Sequence, residues 1–229
     1  MIGIIAAMEE EKDAVLALME NTKKEKRNGK IFYHGTLKGK EVVLTRCGVA
    51  KTNAAVSTTL MILRYKPYLI LNVGCAGSLS AKAPKGDVVI GTKVADWDID
   101  VPEDVGIQWK RGFDNKRISF DGDEEAIRIL KKLRRKSLHF GGIVSGEAFI
   151  YRKDQVDTIR KYFPEALCGE MEGSSIAKTC HSFGVRSLII RSISDMTFVE
   201  GDYEGFDFNL QKACDNAAEL LAKCVEALP

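Results

Sequence analysis

Three groups of carboxylates in this chain stand where apolar stretches give way to helical patterns. Carboxylates in such places can transfer protons or steady positive charge that develops on a ligand. The run Arg191-Ser192-Ile193-Ser194-Asp195 closes the apolar, β-branched stretch Val185–Ile190. That stretch reads as a buried strand delivering Asp195 to its carboxyl end, although the same residue could N-cap whatever follows. Glu170-Met171-Glu172 follows the short segment Ala166–Gly169 and opens a helical pattern at Ser174-Ser175-Ile176-Ala177. Extended backbone would send Glu170 and Glu172 to opposite sides, so only one of them is expected to face a site. Glu9-Glu10-Glu11 follows the first strand, Ile2–Ala7. Glu9 and Glu10 suit the negative first turn of a helix, whereas Glu11, at helical spacing from Met8, can point inward.

Two further segments could build a ligand pocket. Asn72-Val73-Gly74-Cys75-Ala76-Gly77-Ser78 reads as a turn of small residues after a buried strand. Its glycines allow close backbone approach and present N–H groups, but the spacing is not that of a dinucleotide fingerprint. Ser145-Gly146-Glu147-Ala148-Phe149-Ile150 ends another strand. Phe149 there is either core or a flat wall for a heteroaromatic base, with the backbone of Ile150 pairing the base edge. His34, His139 and His181 share no spacing, so neither a nucleophile–histidine pair nor a metal site can be argued.

The elements that must position these residues alternate between strand and helix. The pattern reads strand Ile2–Ala7, helix Glu10–Glu20, a hairpin of Ile31–Thr36 and Glu41–Cys47, helix Lys51–Tyr65 and strand Tyr68–Val73. Strand Asp87–Ala95 follows, then a long aperiodic loop from Asp96 to Asp121 and a helix from Asp123 to Arg135. Strand Phe140–Ser145, helix Arg152–Tyr162, strand Ala166–Gly169, helix Glu172–Phe183 and strand Val185–Ser192 precede an amphipathic C-terminal helix. Such alternation predicts an α/β fold with a mostly parallel central sheet, and 229 residues without a linker or repeat predict one domain, 1–229. A net charge of +2, with acids and bases interleaved, argues against nucleic acid as a partner. The lysine-rich runs 23–30 and 131–136 read as solvated faces. No segment has membrane-spanning length or the form of a signal peptide. Six cysteines without metal spacing predict free thiols in a reducing cytoplasm.

Taken together and in order, six segments resemble one family. They are Gly3–Glu11, Asn72–Gly77, Gly86-Asp87-Val88-Val89, Ser145–Ile150, Glu170–Glu172 and Arg191–Asp195. The chain is similar to the methylthioadenosine/S-adenosylhomocysteine nucleosidases of the purine nucleoside phosphorylase/uridine phosphorylase family, from its first residue to the C-terminal helix. The resemblance implies a three-layer αβα sandwich with a mixed sheet, a homodimer, and hydrolysis of the N-glycosidic bond of adenine nucleosides with neither cofactor nor metal. It implies that Asp195 protonates the purine N7, that Glu11 activates water, and that Arg191 helps to order the water and acid network. Glu172 would bind the ribose hydroxyls with the backbone of Met171. Phe149 would stack on adenine, Ile150 would pair its edge, and Met8 would line the ribose pocket. Cys75, Ala76, Gly77, Glu170 and Ser194 would complete the substrate-binding set.

Two positions depart from the family pattern. Cys75 stands where the family usually has Ser, and Pro102–Trp109 replaces an aromatic loop with a Gly-Gln-x-Pro element. In the family that loop, here within 102–115, caps the partner's pocket for the 5′-substituent, so the preferred substituent stays open. A hydrolase of 6-amino-6-deoxyfutalosine, a purine nucleoside phosphorylase and a non-catalytic nucleoside-binding module are the competing readings.

Overall fold

The computed structural model describes residues 1–99, 119–199, 201–202 and 206–229. The loop expected to cap a partner's pocket lies outside the described residues.

The strands occur in the chain as β1 (Ile2–Ala6), β2 (Glu20–Arg27), β3 (Lys30–Leu37), β4 (Lys40–Arg46), β5 (Leu69–Ser78), β6 (Val88–Asp96), β7 (Ser119–Asp121), β8 (Leu138–Ser145), β9 (Ala166–Glu170) and β10 (Arg186–Met196). The helices are α1 (Glu9–Leu16), α2 (Lys51–Tyr65), α3 (Glu124–Lys131), α4 (Lys153–Tyr162), α5 (Gly173–Ser182) and α6 (Phe206–Ala227). Among the described residues no helix is long and apolar enough to cross a membrane.

The strands join one mixed sheet in the order β10-β6-β8-β9-β5-β1-β4-β3-β2, with β7 paired to β6 off this path. Parallel pairs β4–β1, β1–β5 and β5–β10 form its centre. Because β9 also pairs with β5, the strands β5, β10, β6, β8 and β9 close into a ring. The carboxyl ends of several strands therefore converge on one rim, the usual ligand side of such sheets.

Burial on both faces explains the continuous apolar strands. Ile2, Ile4 and Ala6 point toward α1 and α6, while Ile5 joins the cluster that holds Ala54 and Met61 of α2 and Ile176 and Ala177 of α5. The C-terminal helix buries Leu210, Ala213, Ala217, Leu220, Leu221 and Val225, the face its periodicity predicts. The β3–β4 hairpin turns at Lys38 (φ 51°) and Gly39 (φ 76°), positive at both positions as a two-residue hairpin requires.

One strand is added and three readings are corrected. The lysine-rich segment is solvated, as its composition predicts, and it forms an edge strand, β2, paired antiparallel with β3. It has no apolar alternation to announce it, and lysines suit an edge that must resist further pairing. The first helix ends at Leu16 rather than Glu20, because Glu20 already pairs with Thr36. Residues 72–78 are not a turn but the second half of β5, and their small side chains leave room for carboxylates. A Cβ on Gly74 would lie 2.4 Å from Glu11 Oε1, and one on Gly77 would lie 3.0 Å from Asp195 Oδ2. β10 likewise runs past Ser192 to Met196, with an irregularity between Ile193 and Asp195, so Asp195 sits inside the strand opposite Gly77 rather than beyond its end.

Candidate active site

A cleft of about 760 Å³, counted out to its open mouth, lies over the converging strand ends. Met8, Glu11, Cys75, Ala76, Gly77, Phe149, Ile150, Glu170, Met171, Glu172, Ser194 and Asp195 all line it. Arg191 does not line it; the side chain is buried beneath the floor.

Glu11 is the third residue of α1, and its carboxylate reaches back to the helix start. Oε2 accepts the N–H of Ala7 at 2.7 Å and of Met8 at 3.0 Å. Oε1 accepts the N–H of Cys75 at 2.9 Å. The same group thus caps its own helix and ties it to β5, leaving the carboxylate fixed at the cleft.

Asp195 is 1% exposed. Burial raises its pKa, and the Ser194 hydroxyl, donating to Oδ1 at 2.8 Å, works against that rise. Such a carboxyl holds a proton longer than a solvated one and can deliver it to a bound base.

Both Glu170 and Glu172 reach the cleft, against the expectation that one would face away. β9 ends at Glu170 and Glu172 already occupies the N-cap of α5, so strand alternation no longer applies. Glu170 is consumed locally. It accepts from Ser145 Oγ, from the N–H groups of Glu172 (3.0 Å) and Gly173 (2.8 Å), and from Arg191. Glu172 is different: Oε1 accepts the Ala50 N–H at 2.8 Å, and Oε2 lies 3.7 Å from Arg191. Its pKa is pushed up to about 8, first by burial and then by the charge of Glu170, with Arg191 opposing.

Arg191 donates to Asn72 Oδ1 at 2.6 Å as well as to Glu170. Its charge is balanced chiefly by Glu170 at the end of β9, with Glu172 Oε2 farther off at 3.7 Å. Removing one partner of such a pair would strand a buried charge.

Several contributors escaped sequence reasoning. Asn72, Ser145 and Ala50 hold the carboxylates and their counter-charge from behind, and Ala7, Val49, Ala148, Gly169 and Thr197 complete the lining. A buried Asn within a strand was the one available signal, since an amide there must find partners. Ala50 adopts φ 80°, ψ 162°, a region that costs a residue with a side chain about 1–3 kcal/mol.

The thiol of Cys75 packs away from Glu11. Its Sγ is 3.5 Å from Cys214 Sγ and 4.0 Å from the Leu210 carbonyl of α6. All six cysteines are buried and unbridged.

An α/β fold that closes part of its sheet into a ring, with acids around one apolar cleft, defines a small-molecule enzyme class. A family model described as the phosphorylase superfamily matches residues 1–226, and the chain belongs to that superfamily. The 5′-methylthioadenosine/S-adenosylhomocysteine nucleosidase of Staphylococcus haemolyticus is 36% identical over the whole of both chains. The crystal structure of the nucleosidase of that name from Neisseria meningitidis, in complex with methylthio-immucillin-A, superposes with a TM-score of 0.91 at 35% identity and covers 99% of each chain. The futalosine hydrolase of Helicobacter pylori has a TM-score of 0.86 at 28% identity, covering 99% of this chain and 97% of its own.

Proposed function

We propose that the chain hydrolyses the N-glycosidic bond of 5′-methylthioadenosine and S-adenosylhomocysteine, releasing adenine and a 5-thio-substituted ribose. The observation that carries this reading is the convergence of Glu11 and Asp195 on one buried cleft, one carboxylate fixed by three N–H groups and the other held toward its protonated form. The kinship with nucleosidases acting on these two compounds supports the choice of substrate.

Adenine leaves poorly as an anion. Asp195 donates a proton to N7 so that the base departs neutral, while the sugar becomes oxocarbenium-like. Glu11 takes a proton from the attacking water, and the negative charge of Glu11, together with Glu172 where it is ionised, stabilises the sugar cation. This is the acid–base logic of glycosidases with nitrogen as the leaving atom. Glu172 and the Met171 backbone hold the ribose hydroxyls, and Met8 packs beside the sugar. Phe149, 41% exposed at the mouth, offers a ring face that a base can cover, and Ile150 pairs the base edge. Arg191 acts from beneath by fixing Glu170 and facing Glu172.

Phosphorolysis fits poorly. A dianionic phosphate needs arginines and free N–H donors beside the sugar. Here Glu11 and Glu172 occupy that face, and Arg191, the buried arginine among the described residues, is already paired with Glu170. Adenine release in phosphate-free buffer, with free 5-substituted ribose as co-product, tests the reading; strict phosphate dependence or a ribose 1-phosphate would overturn it. The structural likeness to a futalosine hydrolase favours including the 5′-extended nucleoside 6-amino-6-deoxyfutalosine in the substrate panel. The same reading includes a single domain over 1–229, a cytoplasmic enzyme and a homodimer.

A further inference from the structure

Lys51 occupies a junction that the chemistry above leaves without a role. It is the first residue of α2 and directly follows Ala50, whose N–H holds Glu172. Its ammonium donates to Asp98 Oδ1 at 2.6 Å and lies 3.3 Å from Asp96 Oδ1. Its carbonyl accepts Ser175 Oγ of α5 at 2.9 Å.

Each carboxylate leads on to a different wall of the cleft. Asp98 Oδ2 accepts the Glu147 N–H at 2.8 Å, two residues before Phe149. Asp96, 3% exposed, accepts from Ser174 Oγ at 2.5 Å. The Ser174 N–H donates to Ser145 Oγ at 2.8 Å, and that hydroxyl donates to Glu170.

The two acids do not depend on Lys51 equally. Lys178 Nζ also approaches Asp96, at 3.2 Å, so Asp96 keeps a cation and a hydroxyl without Lys51. Among the described residues, Asp98 has Lys51 as its cation. Ala50 sits at a backbone angle that a residue with a side chain adopts only when its surroundings hold it there. The anchoring of the next residue through both its ammonium and its carbonyl provides that hold.

We propose that Lys51 is a positioning residue that sets the Ala50 N–H against Glu172 on one side and the Phe149 loop on the other, and so tunes recognition of the ribose hydroxyls relative to the base. The proposal rests on the reading of Glu172 as the ribose ligand.

The test measures adenine release by the full chain from 5′-methylthioadenosine and from its 2′-deoxy analogue, with thermal unfolding recorded in parallel. Glu172→Ala first establishes how far the ratio of kcat/KM for the two nucleosides depends on the carboxylate. Lys51→Met is expected to raise KM for the ribonucleoside about tenfold, the scale of one lost charge-assisted hydrogen bond, with a smaller rise for the deoxy analogue. The ratio then shifts in the same direction as in Glu172→Ala. Asp98→Ala raises KM for both nucleosides and shifts the ratio less than Lys51→Met does, because Lys51 keeps Asp96 and the Ser175 contact. Lys51→Arg restores the ratio because it keeps a cation at the junction, and Lys51→Gln substitutes for Lys51→Met if the latter fails to fold. An unchanged ratio in Lys51→Met beside a shifted one in Glu172→Ala would overturn the positioning role alone, and a fall in melting temperature with unchanged KM would do the same. An unchanged ratio in Glu172→Ala would remove the ribose assignment, and the role of Lys51 with it.

Discussion

The Cys75 amide donates to Glu11 Oε1 at 2.9 Å, joining the first turn of α1 to the middle of β5. This bond fixes the carboxylate against the strand whose neighbour, β10, carries Asp195. Acid and base are thereby held by adjacent strands of one sheet, a more rigid arrangement than two loops would give.

Gly74 is the residue that makes room for this contact. A Cβ there would come within 2.4 Å of Glu11 Oε1 and 2.8 Å of its carboxyl carbon, so Gly74→Ala must push the carboxylate off its three N–H donors. A displacement of about 1 Å in a catalytic group costs roughly a hundredfold in rate. We expect kcat to fall by about that factor with adenine affinity largely kept. A variant of normal kcat would show that Glu11 is not the group that activates water.

Asp195→Asn keeps the side-chain volume and the hydrogen bond from Ser194 but has no acidic proton to give to N7. General acid catalysis is worth about a hundred- to ten-thousand-fold. Single-turnover adenine release should drop by that range while a non-hydrolysable nucleoside analogue still binds. Turnover near that of the parent protein would remove Asp195 from the mechanism.

Glu172 gives the unliganded protein a pH-dependent stability. Its folded pKa of about 8 stands above the ordinary value of 4.5, so the folded state keeps a proton that the unfolded chain releases. The associated stabilisation is complete below about pH 4.5 and is lost progressively as the pH rises toward 8. Glu172→Gln cannot ionise and loses this dependence. Melting temperatures across that window should fall more steeply with pH for the parent than for the variant. Parallel curves would mean that Glu172 is already ionised at the lower end.

Cys75→Ser should leave turnover within about tenfold, the weight of one hydrogen bond, because Glu11 is held by the amide and not by the thiol. The cost falls on the fold instead. A hydroxyl placed against Cys214 and the α6 face loses about 1 kcal/mol of stability. A loss of activity by orders of magnitude at unchanged stability would show that the thiol acts on the substrate directly.

Local pattern alone was enough for the alternation of strands and helices, the helix Lys51–Tyr65 and the buried face of the C-terminal helix. Each depends on side chains a few residues apart, and a period of two or of 3.6 registers directly in the order of the chain. The same holds for Glu170, because a charged residue closing an apolar strand is visible in the sequence, whereas Asp195 lies inside β10. The edge strand β2 had no such signal, since its partner is β3 and neither of its faces is buried. The small residues 72–78 looked like a turn because the reason for their size lies outside their own stretch of chain. Glu11 fills the space that a side chain on Gly74 would need, Thr197 and Asp195 fill that at Gly77, and only the packed sheet brings them there. Arg191 entered only through the family resemblance, and its place beneath the floor of the cleft was not legible. Its position depends on Glu170 and Glu172, at and just past the end of β9, meeting Asn72 of β5. The protonation preferences of Glu172 and Asp195 were likewise decided by tertiary structure. Burial and facing charge set them, and neither exists until the chain has closed the cleft around those carboxyls.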